Sequence, residues 1–379
     1  MQQEKLTASK DETPVMNLLP IAKSFSKVIQ LPKLLLLMML QSLLNFNSQA
    51  QSTPTDLTLL GIEDILTRRI IPHDQATGKA LPPERWSFGY DFVTAHFKEY
   101  QTGTRTISTA QMQTLFPVLP LEIIQRAHLL NVGYQVTDRL FLDLQVSYVQ
   151  QSTYHISRVP GFDEFTIRSH GVGDTSIGLN YMLWSDENES LYAGAALSIP
   201  TGDINKKGRT PRDAVNDTLL PYTMQIGSGT FDFNPSINYI RKMDKFEWSN
   251  NLQGTIRMGK NYHDYSLSHR AILKTTLSYE MFPFLHPSVK LLGHYWDRIH
   301  GQDNDVILPG GIFPAPVTNP DLFGGRKVDL LFGLRIPINN GLLKGQILEL
   351  EGGFPIYQYL NGPQPGEQWR LAASWKWRF

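Results

Sequence analysis

The sequence predicts an all-β protein, a transmembrane antiparallel β-barrel of about 12 strands with short periplasmic turns and long external loops. Apolar and polar residues alternate with a period of two in many segments of about ten residues, which is the length of a membrane-crossing strand. Short and long connections alternate along the chain. The mean hydropathy of −0.24 is too polar for a helical membrane protein and is normal for a barrel with a wet interior.

The clearest strand is the segment from Trp369 to Phe379. Its aromatic and aliphatic residues occupy every second position, and Arg370, Lys376 and Arg378 lie between them. One face of this strand is therefore apolar and the other is polar. A terminal Phe on the last strand resembles bacterial outer-membrane barrels, and the resemblance implies that Phe379 contacts the barrel-assembly machinery.

The same alternation predicts the remaining strands, an even number that places both barrel ends on one side of the membrane. In chain order the predicted strands are Trp86–Phe97, Leu129–Val136, Leu140–Tyr148, Asp174–Leu183, Leu191–Ile199, Phe231–Tyr239, Phe246–Met258, Ala271–Met281, Val289–Tyr295, Val328–Ile336, Leu348–Ile356 and Trp369–Phe379.

The connections between these strands fall into two classes. Short ones are predicted near Asp138 and at 186–189, 243–244, 282–286 and 339–344. Longer ones are predicted at 98–123, 152–172, 201–221, 259–266, 298–324 and 357–366. Outer-membrane barrels have short periplasmic turns and longer external loops, so the asymmetry also orients the barrel.

The energetics of the bilayer decide which face of each strand points outward. A Lys or Arg on the lipid face near mid-membrane costs about 2–4 kcal/mol. The charged set is therefore predicted to face the interior as pore-lining candidates. These candidates are Asp143, Arg257, Arg270, Lys274, Lys290, Asp329, Arg335, Glu349, Glu351 and Arg370.

The N-terminal part of the chain carries an export signal. The apolar run Leu34–Leu44 follows three lysines and precedes Ser48-Gln49-Ala50, which is the pattern of a secretory signal peptide. We therefore expect a signal peptide at 1–50, a periplasmic segment at 51–83 with a short helix at Asp56–Leu66, and an outer-membrane β-barrel at 84–379.

Composition excludes several classes of function. The formal net charge is +0, which argues against a nucleic-acid partner. The absence of Cys removes disulfides, thiolate nucleophiles and Cys metal sites. We expect no cofactor, no resident metal and no catalytic residue. His294, Asp297, His300 and the acidic stretch 303–305 are weak metal candidates, since they lack the spacing of a calcium loop.

Four short motifs carry a second resemblance, which spans roughly residues 125 to 379. They are Gly171-Val172-Gly173-Asp174-Thr175-Ser176-Ile177-Gly178-Leu179, Ile199-Pro200-Thr201-Gly202-Asp203, Gln225-Ile226-Gly227-Ser228-Gly229-Thr230 and Pro355–Gln364. In this order they resemble a family of outer-membrane transporters associated with the meta-cleavage pathway of phenol degradation. The resemblance implies a passive or gated channel for small molecules, including aromatic ones, in the bacterial outer membrane.

These motifs also have a structural interpretation. Glycines suit strand ends and close backbone contacts, and Asp174 and Asp203 either form a charged ring at the external mouth or bind local backbone. Expected partners are outer-membrane lipid, lipopolysaccharide near the basic residues 206–212, and the small-molecule substrate.

Two alternatives remain. One is a non-conducting barrel that anchors or docks a periplasmic or surface partner through Asp56–Leu66 or the 298–324 loop. The other, more remote, is a barrel hydrolase, because His155 and Ser157 have the two-residue spacing that points both side chains the same way on a strand. We expect 151–171 to form an external loop, which argues against the hydrolase.

Overall fold

The computed structural model describes residues 85–379, and the predicted signal peptide and periplasmic segment lie outside them. Seventeen strands and one α-helix are found in this range, together with short 3₁₀ turns. The strands are β1 (Trp86–Gly103), β2 (Arg105–Ile107), β3 (Val118–Gln135), β4 (Leu140–Ser157), β5 (Glu164–Val172), β6 (Thr175–Ser185), β7 (Glu189–Ile199), β8 (Lys207–Thr210), β9 (Asp213–Leu219), β10 (Asp232–Met243), β11 (Phe246–Arg257), β12 (Tyr265–Ser266), β13 (Arg270–Tyr279), β14 (His286–Trp296), β15 (His300–Gly301), β16 (Gly325–Ile338) and β17 (Gln346–Arg378). The helix α1 is Thr109–Leu115, and the 3₁₀ turns are Tyr222–Met224, Asn304–Val306, Pro316–Thr318 and Pro320–Leu322.

Eleven of these elements form a closed barrel in the order β17-β16-β14-β13-β11-β10-β7-β6-β4-β3-β1, and β17 pairs with β1 to close it. Each strand of the barrel pairs antiparallel with its neighbours in this order. β2 and β5 extend the sheet beyond the barrel, where they pair with β1 and β4.

The last element, β17, crosses the barrel wall twice. Its first part, as far as Leu360, pairs antiparallel with β16, and the part from Leu360 onward pairs antiparallel with β1. β16 and β1 run in opposite senses, so the two parts of β17 do so as well. The described chain therefore makes twelve crossings, as the sequence predicts. The predicted loop at 357–366 is too long, because 357–360 pair with β16 and 364–366 pair with β1, which leaves three residues for the reversal.

The strands alternate in exposure as the sequence predicts. Leu130 is 48% exposed while its neighbour Asn131 is 2% exposed, and β4 repeats the pattern with Leu142 outward and Asp143 inward. The outer surface is a band of exposed aliphatic and aromatic side chains, and the inner surface carries polar and charged ones. Within residues 85–379, no helix is long and apolar enough to cross a membrane.

Aromatic side chains gather at the ends of strands that meet the short turns. The ring centroids of Trp86 and Tyr134 lie 4.7 Å apart, and those of Phe246 and Tyr279 lie 4.9 Å apart. Phe88 packs edge-on against Trp375 at 5.6 Å. Girdles of aromatic residues are typical of transmembrane barrels at the membrane–water interface.

On the external side the strands extend further than the sequence predicts. β1, β3 and β4 each have 18 residues, so part of each predicted loop at 98–123 and 152–172 is strand. The loop between β1 and β3 also contains α1, which is capped by reciprocal hydrogen bonds between Ser108 and Gln111. These extensions raise a wall above the membrane, where the remaining loops pack.

Barrel closure can be tested by a disulfide between β1 and β17. Phe92 and Ala373 are direct cross-strand partners, and the chain has no Cys of its own. We expect Phe92→Cys with Ala373→Cys to oxidise readily, detected as a shift on non-reducing gels of the boiled protein.

The matched control is Phe92→Cys with Leu371→Cys. Leu371 pairs with Thr94, two residues further along β1, and diagonal neighbours lie about 7–8 Å apart, beyond easy disulfide reach. Equal oxidation of both pairs, or of neither, would contradict this register.

Candidate functional site

The barrel encloses a polar cavity of about 260 Å³ in its periplasmic half. Five pore-lining candidates from the sequence lie on its wall, as do Lys376 and Glu247. These five are Lys274, Lys290, Arg335, Glu349 and Glu351. They come from β13, β14, β16 and the first part of β17, whose alternate residues point inward.

Ion pairs cross the cavity wall between neighbouring strands. Lys376 Nζ lies 2.6 Å from Glu349 Oε2, and Arg335 Nε lies 3.8 Å from Glu349 Oε1. Lys290 pairs with Glu351 on the next strand but one. The charged lining residues are four acids (Asp91, Glu247, Glu349, Glu351) and four bases (Lys274, Lys290, Arg335, Lys376). The cavity lining is therefore neutral overall.

The other five candidates lie deeper in the packed interior. Asp143 accepts a hydrogen bond from Asn180 Nδ2 at 3.1 Å, and Arg257 NH1 lies 2.5 Å from Asp232 Oδ2. Arg270 is buried on the inner face of β13. Asp329 and Arg370 belong to the cluster described next. All ten face the interior, and the role of each in lining a conducting path stays a prediction.

A buried cluster of four charges joins β16 to the second part of β17. Arg370 Nε and NH2 donate to Glu367 at 2.6 and 2.7 Å, and Lys327 pairs with the same carboxylate. Asp329 Oδ2 lies 3.4 Å from both Lys327 Nζ and Arg370 NH2. The four side chains are at most 7% exposed, and two positive charges balance two negative ones. A buried carboxylate with such partners stays ionised at tolerable cost.

Sequence reasoning missed Lys327 and Glu367. Lys327 lies two residues before Asp329 and continues its alternation, which was a readable signal. Glu367 was hidden by a change of register between β1 and β17, where the partner of Phe97 is Glu367 and the partner of His96 is Trp369. The skipped Gln368 forms a bulge that lets Glu367 and Arg370 face the same side.

A segment of the loop between β7 and β10 folds into the barrel above the cavity. The backbone oxygen of Gln225 accepts a hydrogen bond from Gln151 Nε2 at 2.9 Å, and Thr153 Oγ1 lies 3.2 Å from Met224 Sδ. Ile226 packs in the largest apolar cluster of the interior, with partners that include Phe97. We call residues 221–230 the inward segment. With this cluster it fills the external half of the barrel.

Asp174 holds the inward segment in place. Its Oδ1 accepts from the backbone N–H of Gly202 at 2.9 Å, and its Oδ2 accepts from Ser228 N and Ser228 Oγ at 2.8 and 2.6 Å. A Cβ on Gly227 would lie 2.5 Å from Gly202 O, so this contact requires glycine. Three of the four motifs that carry the family resemblance therefore meet at one point.

This arrangement decides the role of the two motif aspartates. Asp174 binds backbone within the barrel and does not belong to a charged ring at the mouth. Asp203 bonds locally too, since its Oδ1 accepts from Asn205 N at 2.8 Å and its Oδ2 pairs with Lys206 at 3.0 Å. The structural interpretation of these motif residues is the one that the geometry supports.

His155 and Ser157 lie on β4, and the prediction that they belong to a loop is wrong. His155 Nδ1 donates to Thr153 O at 3.0 Å, and its ring stacks on Phe165 with centroids 4.7 Å apart. Ser157 Oγ accepts from Val159 N at 2.9 Å. Both side chains are thus engaged with groups other than each other.

The external loops contain two groups of His and Asp side chains that are close enough to share an ion. In one, Asp297 accepts from His269 N at 2.6 Å and pairs with His300 Nε2 at 3.0 Å. In the other, His263 Nδ1 lies 3.2 Å from Asp303 Oδ2. His294, a predicted neighbour of the first group, is instead buried on the inner face of β14. These contacts tie the loops to one another.

Arg212, one of the basic residues in the loop at 206–212, is engaged in contacts within the protein. It bonds to Leu219 O and to Asp305 O, which connects the β8–β9 hairpin to the 297–324 loop. Burial lowers the pKa of Arg212 from its usual value, against the opposing effect of Asp303 and Asp305. An interaction of this loop with lipopolysaccharide stays a prediction for its remaining basic residues.

Comparison with known proteins gives a structural likeness only. No protein-family model and no curated protein matches the sequence. Among solved structures, the COG4313 outer membrane channel from Pseudomonas putida F1 is similar, with a TM-score of 0.52 and 14% identity over 82% of this chain and 100% of that one. A Pseudomonas aeruginosa FadL homologue (TM-score 0.40, 8% identity, 81% of this chain and 92% of that one) is more distant. So is the P. putida toluene transporter TodX (TM-score 0.38, 12% identity, 79% and 91%).

At this level of identity the likeness to the COG4313 structure is one of fold. It agrees with the closed sheet, the apolar outer band and the aromatic girdle described above. The chain is a β-barrel protein of the bacterial outer membrane.

Proposed function

We propose that the protein is a gated channel for passive uptake of small molecules across the outer membrane, and that the inward segment is its gate. One observation carries the proposal. A polar cavity in the periplasmic half of the barrel is covered on its external side by a loop segment that one carboxylate, Asp174, holds in place. The shared fold with a protein described as an outer membrane channel fits this function.

The balance of charge in the cavity favours cargo without a strong net charge. A lining of one sign would concentrate ions of the other sign. Here four acidic and four basic residues are interleaved, and neighbours such as Lys376 and Glu349 neutralise each other. Discrimination between solutes would then depend on where the individual charges lie along the cavity wall, more than on the total charge of the lining.

The external half of the interior suits a cargo with an apolar body. Val93, Phe97 and Trp296 are buried there and belong to the same apolar cluster as Ile226. A molecule that displaced the inward segment would take the place of Ile226 against these apolar side chains. Small aromatic molecules fit this description, which agrees with the phenol-degradation link that the motif resemblance implies.

The alternative, a non-conducting barrel that docks a partner, is distinguished by conductance. We expect the full chain, inserted into planar bilayers, to give brief or small openings. Deletion of 51–83 is the companion measurement, because a periplasmic segment that entered the lumen would block conductance. Silence of both proteins in bilayers would overturn the channel proposal and leave the docking role.

Charge reversal in the cavity tests whether its wall lines the conducting path. We expect Arg335→Glu and Lys274→Glu each to move the reversal potential in a KCl gradient toward cation preference. A unit charge about 8 Å from an ion contributes about 0.5 kcal/mol in water, and about half of that in about 0.1 M salt. Replacing + by − acts in opposite senses on the cation and the anion, so the difference between them changes by about 1 kcal/mol and the permeability ratio by roughly fivefold.

The matched control for charge reversal is Lys344→Glu. Lys344 is exposed at the short turn between β16 and β17 and lines neither the cavity nor the recess that adjoins it at Arg335. An unmoved reversal potential for both lumen variants, or an equal shift for Lys344→Glu, would show that these side chains do not line the path.

Release of the inward segment tests the gate. Asp174→Ala removes three hydrogen bonds to a carboxylate, each worth about 1.5–3 kcal/mol in proteins. We expect larger or longer openings than in the unmodified protein, because the inward segment is then held only by its remaining contacts. Single-channel recording gives both quantities.

Asp213→Ala is the control for the gate. Asp213 also accepts three hydrogen bonds, from Val215 N, Asn216 N and Asn216 Nδ2, but all within the exposed β8–β9 hairpin. Openings that respond equally to both substitutions, or to neither, would contradict a gating role for Asp174.

A further inference from the structure

A small pocket of about 70 Å³ lies at the external end of the barrel, above the inward segment. A buried water needs about 10–15 Å³ by a comparable measure, so the pocket can hold several non-hydrogen atoms. Its walls are mostly apolar and include Val118, Phe165, Ile167, Pro221, Ala315 and Val317. Pro221 begins the inward segment, so the pocket adjoins the proposed gate.

His155 contributes a buried polar group to this pocket. It is 2% exposed and belongs to the inward-facing column of β4, two residues above Thr153, which contacts the inward segment. A crossing strand needs about 9–11 residues, so a strand that enters at Leu140 has left the membrane before His155. Stacking on Phe165, with the two rings inclined by 6°, fixes the plane of the imidazole.

The hydrogen bonding of His155 determines what its ring can offer. Thr153 O can only accept, so Nδ1 carries the proton of the bond between them. Burial lowers the pKa of His155 to about 4, against the opposing effect of that bond, so the ring is neutral at pH 7. In a neutral ring the second nitrogen, Nε2, is a hydrogen-bond acceptor.

The other polar side chains of the pocket wall are already paired. Thr210 Oγ1 bonds to Thr218 Oγ1 at 2.7 Å, and Thr318 Oγ1 donates to Ala315 O at 2.8 Å. Arg212 is held by Leu219 O and Asp305 O. His155 Nε2 is therefore the side-chain group best placed to select a ligand, and it can accept one hydrogen bond from that ligand.

From this geometry we infer that the pocket binds a small, uncharged, mainly apolar molecule that carries one hydroxyl group, which donates to His155 Nε2. An apolar pocket with one placed polar group is the usual form of a small-molecule site. A site built to pair with a hydroxyl also rejects the analogue that lacks it, because the buried nitrogen is then left unpaired. The view that this ligand is the cargo rests on the proposed channel function, whereas the binding itself rests on the pocket alone.

Binding of phenol, 1-butanol and toluene to the full-length protein in detergent tests this inference. Phenol and 1-butanol share the hydroxyl but differ in the apolar body, and toluene has the ring without the hydroxyl. With ¹⁵N-labelled histidine, we expect saturable binding of a hydroxyl probe to shift the Nε2 signal of His155, while toluene leaves it in place. Binding of only one hydroxyl probe would identify the apolar body that the pocket accepts.

His155→Phe keeps an aromatic ring and removes the acceptor. We expect roughly fivefold weaker binding of the hydroxyl probes, the effect of one neutral hydrogen bond, measured by saturation-transfer NMR on the ligand. His170→Phe, an exposed histidine on β5, is the matched control and should bind as the unmodified protein does. Ala315→Leu fills the pocket and should abolish binding even if His155→Phe folds poorly.

Three results would overturn the inference: no saturable binding of either hydroxyl probe, toluene binding as tightly as phenol, or unchanged affinity in both His155→Phe and Ala315→Leu. Conductance of the same proteins separates this inference from the channel proposal. Intact conductance without probe binding refutes the pocket alone, and probe binding by a silent protein refutes the channel alone.

Discussion

The structure depends on one constraint, which is that a backbone polar group inside a bilayer has no water to bind. Each such group costs several kcal/mol if it is left unpaired, so a membrane-crossing sheet must have no free edge. Here the edge is removed where β1 pairs with the second part of β17, from Ser87 with Arg378 up to Gly103 with Leu360. The backbone of Trp86 and Phe379 completes this seam with two hydrogen bonds, of 2.9 and 3.0 Å.

Closure of the barrel leaves an interior space that must be filled by side chains, loops or water. A twelve-stranded barrel is too wide to be filled by short side chains alone. This chain uses three fillers at different heights: ion pairs around a cavity near the periplasmic end, the four-charge cluster of Lys327, Asp329, Glu367 and Arg370, and the inward segment above. Charges are tolerated inside because charges of opposite sign lie close to one another on the same or nearby strands. A Lys or Arg on the lipid side would cost about 2–4 kcal/mol near mid-membrane.

Much of the barrel could be predicted from the sequence because the period of two is a local property. The alternation directly predicts the membrane-crossing strands and which side chains of each strand point inward or outward, as with Asn131 inward and Leu130 outward. It fails where local spacing is broken, as at the Gln368 bulge that hides Glu367. It also cannot reveal that Asp174 binds Ser228, because those residues are 54 positions apart and meet only after the loop has folded inward. The external strand extensions were missed because, above the membrane, no lipid enforces alternation.

The position of the Asp174 contact explains how a few motif residues hold the inward segment. Asp174 lies at the junction between the loop before β6 and the start of the β6 strand, so its backbone is fixed by the barrel wall. Its carboxylate grips Ser228 and Gly202, which belong to the two ends of a long loop, and the glycine at 227 lets these ends touch. Between these two ends, Tyr222 at the start of the inward segment packs against Phe323 and Tyr265 of the other external loops. Pro221, the first residue of the inward segment, also lines the external pocket, so a ligand bound there would contact the segment that is proposed to gate the channel.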